Sequence, residues 1–99
     1  MHQQMPGWSF LTNHARVLLP VARDPTARLR DIAAACRITE RTVQGIVVDL
    51  EQAGYLSRER HGRRTRYTLH PGGTLRHPAE AHLLIRNLLE LFTPRAGGD

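Results

Sequence analysis

Apolar positions in the first half of the chain fall at helical spacing, with polar residues between them. From about Ser9 to Arg23, Leu11, Ala15, Leu18, Leu19 and Ala22 recur in this way and predict a helix. Thr12 or Asn13 is suited to cap it, because a short side-chain oxygen accepts one of the unpaired N–H groups of a first turn. Pro20 falls inside the pattern, has no N–H and predicts a kink or an interruption; Asp24-Pro25 ends the element. Two shorter segments follow. Leu29, Ile32, Ala33 and Cys36 are spaced i, i+3, i+4, i+7, and so are Val43, Ile46, Val47 and Leu50. Each set lays one apolar stripe on one helical face. Arg37-Ile38-Thr39 connects them, with Thr39 as the N-cap of the second and Asp31 and Glu40 at first-turn positions. Gly54 stands where a helix-ending glycine belongs. Two helices joined by so short a connection make a helix-turn-helix.

The period then changes. Tyr55, Leu56, Tyr67, Thr68 and Leu69 favour strands and His61-Gly62-Arg63 supplies a turn, which predicts a hairpin with strands near 55–60 and 64–69. Pro71-Gly72-Gly73 ends it, and a last helix is expected from about Pro78 to Phe92. The fold class expected is mainly α with a small β-hairpin. A flexible arm (1–8) precedes a winged helix-turn-helix (9–70); a loop and C-terminal dimerisation helix (71–92) and a disordered tail (93–99) follow.

Composition sharpens this picture. With 99 residues and 40% hydrophobic content, the chain suffices for one domain with a real core. Its net charge is +5, and every one of its 14 basic residues is Arg. A basic balance points to polyanions, and Arg suits bidentate contact with phosphate or guanine. The placement of the charge says more than its sum. Arg58, Arg60, Arg63, Arg64 and Arg66 stand against Glu59 alone, a net +4 within one hairpin. So many like charges on paired strands repel one another, and a polyanionic partner is a reason to tolerate them. On the second helix of the motif, Arg41, Thr42, Gln44, Gly45 and Val48 lie opposite the apolar stripe. Arg41 can reach guanine or a phosphate, Gln44 can bond adenine bidentately, and Thr42 can bond a phosphate.

The residues Leu29-Arg30-Asp31-Ile32-Ala33, Ile38 to Gln44, Asp49 to Leu56 and Gly62 to Tyr67 carry a resemblance. From about Trp8 to Phe92 the chain resembles small MarR-type winged-helix transcriptional regulators, to which the ArsR type is similar. The resemblance implies a homodimer on a near-palindromic double-stranded DNA operator. It implies that Thr39 to Val48 enters the major groove and that Arg63 and Arg64 cap the wing. Expected DNA contacts are thus Thr39, Arg41, Thr42, Gln44, Gly45, Arg60, Arg63, Arg64 and Arg66. Two residues depart from the pattern: Arg37 occupies a turn where relatives often carry glycine, and Gly45 lies where a larger side chain is common.

The last helix carries more apolar surface than one small domain easily covers. Leu84, Ile85, Leu88, Leu91 and Phe92 are therefore expected at a dimer interface. Cys36, on an apolar stripe, reads as a core residue; a redox role would need a lowered thiol pKa. His70, His77 and His82 match no metal-ligand spacing, so no metal or other cofactor is expected. No nucleophile, base and oxyanion arrangement suggests catalysis. No signal-peptide pattern and no membrane-length apolar run occur, which makes the cytoplasm the default compartment. Two alternatives stay open: a winged helix that binds protein instead of DNA, and a ligand- or metal-responsive sensor of the same fold.

Overall fold

Thr12 starts the first helix: its Oγ1 accepts from the N–H of Ala15 at 3.1 Å. In the computed structural model, which describes residues 7–92, the element order is α1 (Asn13–Arg23), α2 (Leu29–Cys36), α3 (Glu40–Gln52), β1 (Leu56–His61), β2 (Arg64–Leu69) and α4 (Ile85–Phe92). The expected tail, and the expected arm up to residue 6, lie outside the described residues.

Pro20 does not interrupt α1, which runs on to Arg23. The carbonyl that a helical N–H at position 20 would have bonded is that of Arg16. The Cys36 thiol donates to this oxygen at 3.6 Å, so a neighbouring helix takes up part of what proline leaves unmade. The buried stripe of α1 is also turned from the expected one. Val17, Leu18 and Val21 are its sealed residues, while Ala15, Leu19 and Ala22 are only half-buried. The helix packs against α2, α3 and α4 at once, and that wide contact buries the two valines.

The turn between α2 and α3 is closed by Arg37 in the left-handed region, φ 60° and ψ 44°. The N–H groups of Arg37 and Ile38 bond back to Ala34 and Ala33, which satisfies carbonyls that the end of α2 leaves open. An L side chain in this conformation costs about 1 kcal/mol. Thr39 then caps α3, its Oγ1 accepting from the N–H of Thr42 at 3.0 Å. Gly54, at φ 88°, releases the chain toward β1.

β1 and β2 pair antiparallel, with Leu56 opposite Leu69 and His61 opposite Arg64. Gly62 (φ 63°) and Arg63 form the two-residue turn, and a positive φ at the first residue alone is the pattern of the II′ hairpin. The core joins the stripes of α2 and α3 to Val17, Leu18 and Val21, to Tyr55, Leu56 and Tyr67 from the wing base, and to Ile85 and Leu89. Each large aliphatic side chain sealed there stabilises the fold by about 1.5–3 kcal/mol.

The C-terminal segment departs most from expectation. Residues 78–84 form turns instead of the first half of a long helix, and Thr74 pairs with Leu84 in an isolated antiparallel bridge. The first N–H groups of α4 are taken by the loop after the wing: Ile85 donates to the Gly73 carbonyl at 2.7 Å and Arg86 to the Pro71 carbonyl at 3.1 Å. Asn87 reaches back to the N–H of Leu84 at 2.9 Å, one half of a capping box. These tertiary bonds fix where the helix begins, and side-chain periodicity does not record them.

Candidate nucleic-acid interface

Burial of Val43, Ile46, Val47 and Leu50 turns the opposite face of α3 outward. Arg41, Thr42, Gln44, Gly45 and Val48 are all exposed along it. Arg41 and Gln44 make no side-chain hydrogen bond or ion pair within the described residues. The hydroxyls of Thr39 and Thr42 lie 2.9 Å apart, so both are engaged at the cap.

The wing is braced at three points. Arg58 reaches across to Glu51 of α3, with Nη2 at 2.8 Å and Nε at 3.1 Å from the same carboxylate oxygen. Along the outer edge of β2, the N–H of Tyr67 donates to the Pro25 carbonyl at 2.8 Å. Beside it, Nη2 of Arg64 donates to the Thr26 carbonyl, also at 2.8 Å. The loop between α1 and α2 therefore stands beside β2 much as a third strand would. That loop has its own clasp: Asp24 accepts from the N–H and the hydroxyl of Thr26, both at 3.0 Å. These two bonds hold the Asp24 carboxyl below its ordinary pKa, and Arg64 adds to the effect.

Two of the five wing arginines are thus tied to the protein itself. Arg60, Arg63 and Arg66 are exposed and have no hydrogen-bonding or ionic partner among the described residues. They do not share one surface. Arg60 sits opposite Thr65 on the face that carries Tyr67, Arg66 sits opposite Glu59 on the other, and Arg63 occupies the turn. Glu59 leans to His61 at 3.2 Å and leaves Arg66 unpaired. The clasp of Asp24, Thr26 and Arg64 joins residues 38 apart in the chain, and its one local signal is an Asp two residues before a Thr, a recognisable turn pattern.

The expected dimerisation residues separate. Ile85 is 5% exposed and belongs to the chain's own core, which corrects its assignment to a partner-facing surface. Leu84 and Leu88 are half-buried, Phe92 is exposed, and Leu91 is 77% exposed. Leu88 also lines a cleft of about 660 Å³ bounded by α1, α3 and the segment leading into α4, with the His14–Asp49 pair (2.8 Å) in its wall. Burial raises the Cys36 thiol above its ordinary pKa against a weaker pull from Arg16, the reverse of an activated thiolate. Among the described residues no three His, Cys, Asp or Glu side chains are grouped to hold a metal ion, and no helix is long and apolar enough to cross a membrane.

A helix-turn-helix whose second helix shows an uncovered polar face, followed by a braced basic hairpin, defines a winged helix-turn-helix protein. The sequence profile of the MarR family matches residues 9–66, from ahead of α1 into β2. The chain belongs to the MarR family, which makes its class that of DNA-binding transcription regulators. No curated protein matches the chain. The segment from Tyr67 through α4 lies beyond the matched span.

Proposed function

We propose that this regulator acts in the cytoplasm as a homodimer on a near-palindromic DNA site. In this reading α3 lies in the major groove and the wing lies on flanking phosphates or in the minor groove. The observation that carries the reading is the exposed face of α3, with Arg41 and Gln44 unpartnered among the described residues, beside Arg60, Arg63 and Arg66 in the same condition. Arg41 and Gln44 read base edges. Gly45 lets the helix approach, Thr39 and Thr42 set the helix N-terminus against a phosphate, and the three free wing arginines neutralise backbone charge. Arg64 serves the wing by bracing it.

Dimerisation rests on Leu84, Leu88, Leu91 and Phe92, with Ile85 supporting α4 from inside. Leucine and phenylalanine on one short terminal helix favour a protein partner, and a second copy supplies the two-fold symmetry of a palindromic site. Selection from random duplexes, followed by titration at several salt concentrations, tests the reading. An enriched two-fold motif is expected, and a protein that binds no duplex at low salt would leave protein binding as the better account.

One observation favours a second, compatible reading, that a small ligand controls the regulator. The 660 Å³ cleft lies between the C-terminal end of α3, at Asp49, Leu50 and Gln52, and the helix bearing Leu88, so an occupant would touch the reading helix behind its outward face and one proposed dimerisation residue.

A further inference from the structure

Gly45 is the sixth of the thirteen residues of α3, and nothing among the described residues accounts for it. Its backbone is helical, whereas Gly54 and Gly62 have positive φ. A Cβ built at position 45 meets no atom within 4 Å, whereas one at Gly73 would come within 3.0 Å of the Tyr55 ring. Glycine in a helix interior weakens the helix relative to alanine, because the unfolded chain gains freedom and the folded chain gains no contact. Here the fold accepts that loss without any internal return. The reason for the missing side chain then lies outside the chain, on the side that position 45 faces.

That side is the outward face of α3. Arg41, Gln44, Gly45 and Val48 follow i, i+3, i+4, i+7 and lie together on it. Val48, 37% exposed, is the one exposed large hydrophobic residue of α3. Position 48 lies one turn after position 45, so the bare backbone of Gly45 and the exposed Val48 side chain are neighbours on the face that Gln44 shares. In the major groove the apolar group presented at a base edge is the C5-methyl of thymine, and a glutamine amide matches the N7 and N6 of adenine.

We propose that Gly45 and Val48 receive a thymine methyl beside an adenine read by Gln44, and that Gly45 sets specificity by permitting this approach. The inference rests on α3 being the DNA-reading helix. The test uses duplexes enriched by the parent protein from a random pool, with deoxyuridine replacing thymidine one position at a time to remove single methyls. Loss of the methyl at one position per half-site should weaken parent binding by about fivefold. Gly45→Ala should raise the melting temperature of the free protein by about 5 °C. It should bind the thymine duplex about tenfold more weakly than the parent does. The two changes should also be coupled, since removing the methyl from the DNA relieves the crowding that the alanine methyl creates. Val48→Ala should lose most of the preference for thymine over uracil at the same position. If uracil is accepted as well as thymine everywhere, or if Gly45→Ala binds like the parent, the inference is overturned while α3 can still be the reading helix. If the parent enriches no sequence, the assignment of α3 falls and the inference falls with it.

Discussion

α3 and α4 are both amphipathic, and they differ in what they turn outward. α3, thirteen residues long, seals four apolar side chains inward and presents Arg41, Thr42, Gln44 and Gly45 to solvent. α4, eight residues long, seals Ile85 and Leu89 and leaves Leu91 and Phe92 exposed, with Leu88 half-covered. Water hydrates the outer face of α3 at little cost, so that face is stable without a partner. The outward side of α4 carries Arg86, Asn87 and Glu90 as well as Leu91 and Phe92, and covering the two apolar side chains removes an unfavourable contact with water. One helix is thus suited to a reversible, salt-sensitive partner and the other to a lasting apolar one.

The largest expected effect tests the inner and outer faces of α4 against each other. Leu89→Ala should destabilise the monomer by about 2–4 kcal/mol, because it opens a void in the core. Leu91→Ala should change monomer stability by less than about 0.5 kcal/mol. Leu91→Glu should leave the fold intact and break self-association, because a dimer would then bury an unpaired charge. Urea unfolding and light scattering on the same samples separate these outcomes. A parent that is monomeric at micromolar concentration would remove the proposed role of α4's outer face.

Within the half proposed to face DNA, the next effects distinguish the elements by how they respond to salt. Gln44→Ala should cost about 1–3 kcal/mol on the preferred duplex and leave the salt slope unchanged, since no charge is removed. Arg63→Ala and Arg66→Ala should weaken binding to every duplex and each reduce the log–log salt slope by about 0.9. Arg64→Ala should reduce affinity with nearly the parent slope, because its Nη2 is held on the Thr26 carbonyl and its proposed part is to brace the wing. Fluorescence anisotropy on selected and random duplexes at several salt concentrations measures all of these. An Arg64→Ala slope reduced as much as that of Arg63→Ala would place Arg64 on the DNA backbone and undo the distinction between bracing and contacting arginines.

The same difference explains what the residues alone revealed. The stripes of α2 and α3, the caps at Thr12 and Thr39 and the turn at Gly62 are local signals, each decided within a few residues, and they translate directly into structure. The start of α4 is decided by carbonyls of Pro71 and Gly73, which local spacing does not encode, so the apolar periodicity over 78–84 predicted helix where there are turns. Pro20 misled for a related reason: the group that softens its effect is a thiol on α2, 16 residues further along the chain. For the candidate interface, the outward face of α3 was legible because it is the complement of a stripe. Which wing arginines are free was not, since that depends on where Glu51 and Thr26 come to rest.

Arg37 offers a smaller effect that sharpens the contrast between local and tertiary control. Its left-handed conformation closes the turn that aims α3, and glycine adopts that conformation without the crowding of a Cβ. Arg37→Gly should stabilise the protein by about 1 kcal/mol in urea unfolding. No gain would mean that the arginine side chain returns in contacts what its backbone loses.

The smallest expected effect concerns the clasp behind the wing, and it is read through pH. Asp24 accepts two hydrogen bonds from Thr26 and lies near Arg64, and its folded-state pKa is lowered from 3.8. A carboxyl whose pKa is depressed on folding stabilises the folded state fully only above its unfolded value. The contribution fades as pH falls through the depressed value, where both states become protonated. Asp24→Asn keeps an oxygen that can accept from Thr26 and removes the charge that Arg64 favours. The parent should therefore exceed the variant slightly in stability at neutral pH, and the gap should close as pH falls below about 4. The group is fully exposed, so solvent and salt screen it, and added salt should narrow the gap at neutral pH as well. Urea midpoints measured between neutral and strongly acidic pH, at low and high salt, follow both dependences. A gap that persists unchanged at acid pH would show that the carboxylate charge does not matter to the clasp. The hold of the α1–α2 loop on the wing would then rest on the Pro25 and Thr26 carbonyls, which accept from Tyr67 and Arg64.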